Sequence, residues 1–136
     1  MSKFPGKFFG RQSGETKWPA DMNEMVMYWI TTWTEADQDE RGWSLMLIDD
    51  LREEDPDLCV DFIIEVLKRD PPQLVADQLA ASVLEDLLIE SGPVVIDRVE
   101  AEALHDPKFR HLLGGMYVTR MDDEIRRRIN RLAEKW

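Results

Sequence analysis

Apolar residues recur at helical spacing along nearly the whole chain beyond residue 20, and capping signals divide that pattern into segments. Asp21 precedes Met22, Met25, Val26, Trp29, Ile30 and Trp33, which share one face of a helix. Asp21 and Glu24 have capping-box spacing, so this helix is predicted from Asp21 to near Thr34. A second is predicted from about Asp39 to Glu53 on the stripe Trp43, Leu47, Ile48 and Leu51. Asp55-Pro56 places an N-cap before a proline at the first helical position. Leu58, Cys59, Phe62, Ile63, Val66 and Leu67 follow it, and Pro71-Pro72 stops the helix near Arg69.

Downstream the punctuation is denser. A short helix is predicted from Pro72 to about Ala80, with Leu74, Val75 and Leu79 inward. Ser82 and Glu85 form a second capping-box pair ahead of Val83, Leu84, Leu87 and Leu88, and Gly92 stands where a left-handed C-terminal cap belongs. Pro93 opens a further helix through Val95, Ile96, Val99 and Ala103. Asp106-Pro107 repeats the Asp-Pro start before Phe109, Leu112 and Leu113. The last helix begins near Asp122, with Ile125, Ile129, Leu132 and Trp136 on one face. No strand signal competes with this pattern. The expected fold is all-α, a compact bundle of about eight short helices arranged as stacked antiparallel hairpins. Residues 21–136 are expected to form a single helical domain. Residues 1–20, broken by Pro5, Gly6, Gly10, Gly14 and Pro19, are expected to form an irregular arm.

Composition narrows the class. At 136 residues with 43 % hydrophobic residues the chain can bury a core without a staple, and its single cysteine, Cys59, excludes an internal disulfide. No apolar run reaches the roughly 18 residues of a membrane span, and residues 1–14 lack a signal-peptide core, so a cytoplasmic location is expected. The net charge of −11 is unevenly placed: Glu35 to Asp106 holds 21 acids against 5 bases, while both ends are mildly basic. Such a body repels nucleic-acid phosphate and attracts basic partners.

Candidate chemistry is sparse. Glu102 and His105 have the Glu-x-x-His spacing of di-iron bundles, but His111 has Lys108 three residues before it, so the second half of such a site is missing. Cys59 lies on an apolar stripe and reads as a small buried hydrophobe. Asp49-Asp50 and Glu53-Glu54 are sequence neighbours that point about 100° apart on a helix and do not converge as an acid–base pair. Arg126, Arg127, Arg128 and Arg131 follow Asp122, Asp123 and Glu124 in the same helix, an arrangement the helix dipole explains without a nucleic-acid partner. The expectation is a chain that is not an enzyme, with no cofactor and no metal.

A further signal comes from residues 83–121. The words Val83-Leu84-Glu85-Asp86-Leu87-Leu88, Gly92, Ile96-Asp97-Arg98-Val99-Glu100-Ala101-Glu102-Ala103, Asp106-Pro107-Lys108-Phe109-Arg110, Leu113-Gly114-Gly115 and Met121 occur in that order. This run resembles a family of small bacterial all-helical domains of unknown function. The resemblance implies a bacterial helical domain and assigns no functional residue.

The function expected on these grounds is a non-catalytic, acidic protein-binding module, of the kind that acts as an immunity or antitoxin-like inhibitor of a basic protein such as a toxin. Carboxylates would stand in for the phosphates that a basic active site binds. The candidate partner-binding residues are Asp37, Asp39, Glu40, Asp49, Asp50, Glu53, Glu54, Asp57, Asp61 and Glu65. A scaffolding homo-oligomeric subunit using the Met- and Trp-rich first helix is the alternative. An enzyme with an unrecognised site ranks behind both.

Overall fold

A computed structural model describes residues 12–13, 16–17, 19–34 and 38–133, with side chains over 19–34 and 44–133. The chain divides into two compact units, residues 1–66 and 67–136. The described residues are overwhelmingly helical, so the all-α class holds. The expected irregular arm nonetheless contains a minimal antiparallel ladder, β1 (Gln12–Ser13) with β2 (Thr16–Lys17), in which Gln12 pairs with Lys17. The aromatic residues Phe4, Phe8, Phe9 and Trp18 lie outside the described residues, as does Trp136.

The first unit is built on α1 (Met22–Thr34), α2 (Gln38–Glu54) and α3 (Pro56–Lys68), the last of which runs two residues beyond it. The Glu24 backbone N–H donates to Asp21 Oδ1 at 2.9 Å, which satisfies one of the four orphan donors of the first turn. Asp55 does the same for α3, accepting from the Leu58 N–H at 3.1 Å, with Pro56 at the first helical position. Met25, Val26 and Trp29 of α1, Leu47, Ile48 and Leu51 of α2, and Cys59, Val60, Phe62, Ile63 and Val66 of α3 are buried. Trp29 stands edge-on to Phe62, with ring centroids 5.8 Å apart and planes at 88°, an arrangement favoured by the ring quadrupoles.

The second unit corrects the predicted segmentation. Of the boundaries expected between Pro72 and His105, the one at Ser82 is absent: α4 (Gln73–Gln78) passes through a π turn (Leu79–Leu84) into α5 (Glu85–His105), whose backbone leaves helical geometry at Ser91, one residue before the expected boundary at Gly92-Pro93. With α6 (Pro107–Leu113) and α7 (Asp123–Ala133), the described residues hold six helical stretches rather than about eight, the longest of them kinked at Ser91. The apolar period explains the fusion. Val75, Leu79, Val83, Leu87, Val95, Val99 and Ala103 are buried at intervals of four or eight, and Ala80, Leu84, Leu88, Gly92 and Ile96 at intervals of four. A period of 4.0 drifts about 40° per repeat against the 3.6-residue α-helix. The wide π turn absorbs part of that excess, and a break at Ser91 (φ −134°, ψ 27°) absorbs more. Ser82, expected as a cap, instead donates its hydroxyl to Gln78 Oε1 one turn back, at 3.2 Å.

Gly92 is likewise no terminal cap. It is buried inside the run, and a Cβ there would stand 2.8 Å from Ile125 Cγ1, so its missing side chain lets α7 press onto α5. The second Asp-Pro start forms as expected, with the Lys108 N–H donating to Asp106 Oδ1 at 3.0 Å. The link after α6 is pinned by the Tyr117 N–H donating to Glu85 Oε1 at 2.8 Å, and its Met116 and Met121 are buried. Asp122 accepts from the Glu124 N–H at 3.0 Å and opens α7, whose Ile125, Ile129 and Leu132 are buried.

Candidate functional site

The ten acidic residues singled out by sequence are treated very unequally. Asp37 lies outside the described residues; Asp39 and Glu40 fall in α2, with side chains outside them. On the rest of α2, Asp49, Glu53 and Glu54 are exposed and Asp50 is half-buried. Asp57, Asp61 and Glu65 form an i, i+4, i+8 stripe on α3, each half-buried and each already interacting with other groups. The structure thus gathers Asp49, Asp50 and Glu53 onto one outward face of α2. The α3 acids form a separate, more covered row.

Two features of that α2 face escaped the sequence reading. Met46 is 44 % exposed and sits one turn before Asp49 and Asp50 and two before Glu53, so an apolar side chain lies among the carboxylates. Its signal was the i, i+3, i+4, i+7 spacing, which the charged residues around it mask. The second is Arg52, only 6 % exposed, whose Nη2 donates to Asp49 Oδ1 at 2.9 Å. Asp49 therefore tethers a buried guanidinium as well as facing solvent. Over α2 and α3 the sequence carries nine acids and three bases. Because Arg52 is buried against Asp49, the described side chains exposed on α2 include carboxylates and no cation.

Beneath this face lies Cys59, wholly buried and with its thiol free of any disulfide. Burial pushes the thiol up to about 12; the nearby Arg52 charge pulls the other way and the Asp55 carboxylate adds to the rise. A thiol so displaced stays protonated at neutral pH and is a poor nucleophile. Among the described residues no group of three or more His, Cys, Asp and Glu side chains is placed to hold a metal ion.

The charged residues of the second unit are arranged differently. Arg126 and Arg127 pair with Asp123 and Glu124 three residues earlier on α7. Arg128 reaches across to α5, donating to Asp97 Oδ1 at 2.7 Å and to the Glu100 carboxylate; those hydrogen bonds raise its already high pKa. Arg120 lies 3.8 Å from Asp86. His105 and His111 are exposed.

The molecule that emerges is a helical, surface-charged protein whose acids face outward on α2 and are locked in ion pairs around α7. A family model described as a family of unknown function (DUF6869) matches residues 31–136, and the chain belongs to that family. No curated protein and no solved structure matches it. Among the described residues no helix is long and apolar enough to cross a membrane.

Proposed function

We propose that this chain is a non-catalytic, acidic protein-binding module that docks a basic partner on the outward face of α2, in the manner of an immunity or antitoxin-like inhibitor. One observation carries the reading: Asp49, Glu53 and Glu54 are exposed around a half-exposed Met46, while Arg52 of the same helix is buried. A protein interface commonly has an apolar centre and a polar rim, and methionine adapts to irregular partners. The carboxylate rim steers a cationic surface into register, and Met46 supplies the contact that persists after encounter. Asp39 and Glu40 extend the same helix toward its N-terminus; Glu54, Asp57, Asp61 and Glu65 are secondary, because their interactions within the chain limit what they offer a partner.

The test uses the immobilised full chain to recover basic proteins from the native host at low salt, followed by association kinetics on each. Asp49 stays untouched, since reversing it would set a cation against the buried Arg52. The Asp50→Lys, Glu53→Lys double variant should melt as the parent does and associate about ten-fold more slowly, with the difference shrinking as salt rises. Met46→Ala should leave the on-rate alone and speed dissociation. A partner that binds all these variants as it binds the parent contacts some other surface, and the α2 reading is then wrong.

A further inference from the structure

Past the break at Ser91, α5 is apolar on two sides. Its inner side carries Val95, Ile96, Val99 and Ala103, all buried. Its outer side carries Val94, Asp97, Ala101 and Leu104, all exposed. A surface helix ordinarily sets polar and charged residues opposite its buried stripe. Here Val94 is 70 % exposed and Leu104 64 %, more than any other large apolar side chain described except Tyr117. The chain is 33 % charged residues, yet this outer line holds a single ionised group, Asp97, and Arg128 of α7 neutralises it at 2.7 Å. The line is therefore close to neutral on a molecule of net charge −11.

The four outer residues follow one another at steps of three, four and three, which keeps them in line along a helix packed lengthwise on another. The line is also symmetric. Val94 and Leu104 lie five residues to either side of Val99, and Asp97 and Ala101 lie two to either side. A two-fold axis at the level of Val99, pairing α5 with an antiparallel copy of itself, sets Val94 against Leu104 of the second copy, and Asp97 against its Ala101. Ala101 has no side chain beyond Cβ, so the Asp97–Arg128 pair keeps its room. A parallel pairing would set Asp97 against Asp97, a like-charge contact that costs free energy.

We infer that the outer line of α5 is a self-association surface and that its occupant is a second copy of the chain, antiparallel across a two-fold axis at Val99. Two copies of net charge −11 repel at long range, and this line lets them meet without setting like charges against one another. Val94 and Leu104 stand about 15 Å apart along the helix axis. The contact is thus smaller than the roughly 1,200–2,000 Å² of a stable interface, and the dimer is of the weak, reversible class. Salt screens the repulsion between the copies and strengthens the dimer, the reverse of its effect on docking at α2.

Sedimentation equilibrium of the full chain over a concentration series, at low and at high salt, tests it. The chain should dimerise with a dissociation constant on the order of 100 µM, tightening as salt rises. Val94→Glu, an exposed substitution, should melt as the parent does and weaken the dimer about ten-fold or more. Asp50→Lys, Glu53→Lys on α2 should keep it. The orientation is read with Val94→Cys and Leu104→Cys, since Cys59 is buried and out of a reagent's reach. A short bismaleimide should cross-link a mixture of the two variants and neither one alone. A chain that stays monomeric near millimolar concentration overturns the inference, and so does a dimer that weakens as salt rises. A dimer that survives Val94→Glu uses another surface and overturns it equally. Cross-linking of either cysteine variant alone would mean a parallel pair and rule out the two-fold axis at Val99.

Discussion

Helices α2 and α7 are both heavily charged, and they use charge in opposite ways. Every described arginine of α7 except Arg131 has a named carboxylate partner, and Arg128 reaches across to α5 to find two. On α2 the only side-chain cation described, Arg52, is buried, while Glu53 and Glu54 are exposed. The same residue types therefore contribute to structure in one helix and create an external field in the other. What decides between them is the supply of opposite charge within reach: acids lie three residues before Arg126 and Arg127, while the α2 acids have few bases near them.

Steric fit must dominate ionic pairing at the α5–α7 seam if this contrast is right. Gly92→Val should be the most damaging change, costing about 3 kcal/mol through the clash with Ile125, as read by the urea midpoint. A loss under about 0.5 kcal/mol would mean that α7 shifts freely and that its ion pairs, not the glycine, hold it.

An effect of comparable size hides beneath the acidic face. The Cys59 thiol is protonated in the folded chain up to about 12, whereas an unfolded thiol ionises near its ordinary value of 9.0. Raising pH between those values favours the unfolded state, by up to about 1.4 kcal/mol per pH unit for this one group. Stability should thus fall from pH 9 toward 11, and Cys59→Ala should flatten that part of the profile after its own cavity cost. Parallel profiles for parent and variant would show that Cys59 is not the titrating group.

Smaller still is the cross-helix clamp. Arg128→Met keeps the aliphatic stem and removes the pairs to Asp97 and Glu100, and should cost about 1 kcal/mol, falling as salt is added. Glu53→Lys on α2 should change stability by less than about 0.5 kcal/mol, or raise it slightly by relieving repulsion. If the α2 substitution destabilised more than the α7 one, the distinction between the two helices would collapse.

How far the sequence revealed this depends on whether a feature is local. The Asp55-Pro56 and Asp106-Pro107 starts were legible because cap, proline and first turn lie within four residues of one another. The missing boundary at Ser82 was not, because Ser82 and Glu85 make a sound local cap signal, whereas the break at Ser91 falls beside the expected Gly92-Pro93 boundary. Gly92 was conscripted for packing against a residue 33 positions away, which no local rule can reveal. The α2 acids were found by composition, yet Met46 among them and the tether from Asp49 to Arg52 emerged only from burial. Arg128 was read as favourable to the helix dipole; its partners, 28 and 31 positions earlier, needed the fold.

The π turn carries a last consequence, for how this family can change in length. Insertions and deletions ordinarily settle in loops, because a loop can take up an extra residue without disturbing what it joins. Here the extra residue sits inside a helix, between Leu79 and Leu84. Removing Ala81, an exposed alanine with little packing of its own, would close the turn into ordinary α-helix and rotate everything beyond it by about 100° relative to α4. Replacing Ala81 should be tolerated and deleting it should not. A site permissive to almost any side chain would then be intolerant of being absent, and relatives should vary there in residue type while holding the count of residues between Val75 and Leu87 fixed.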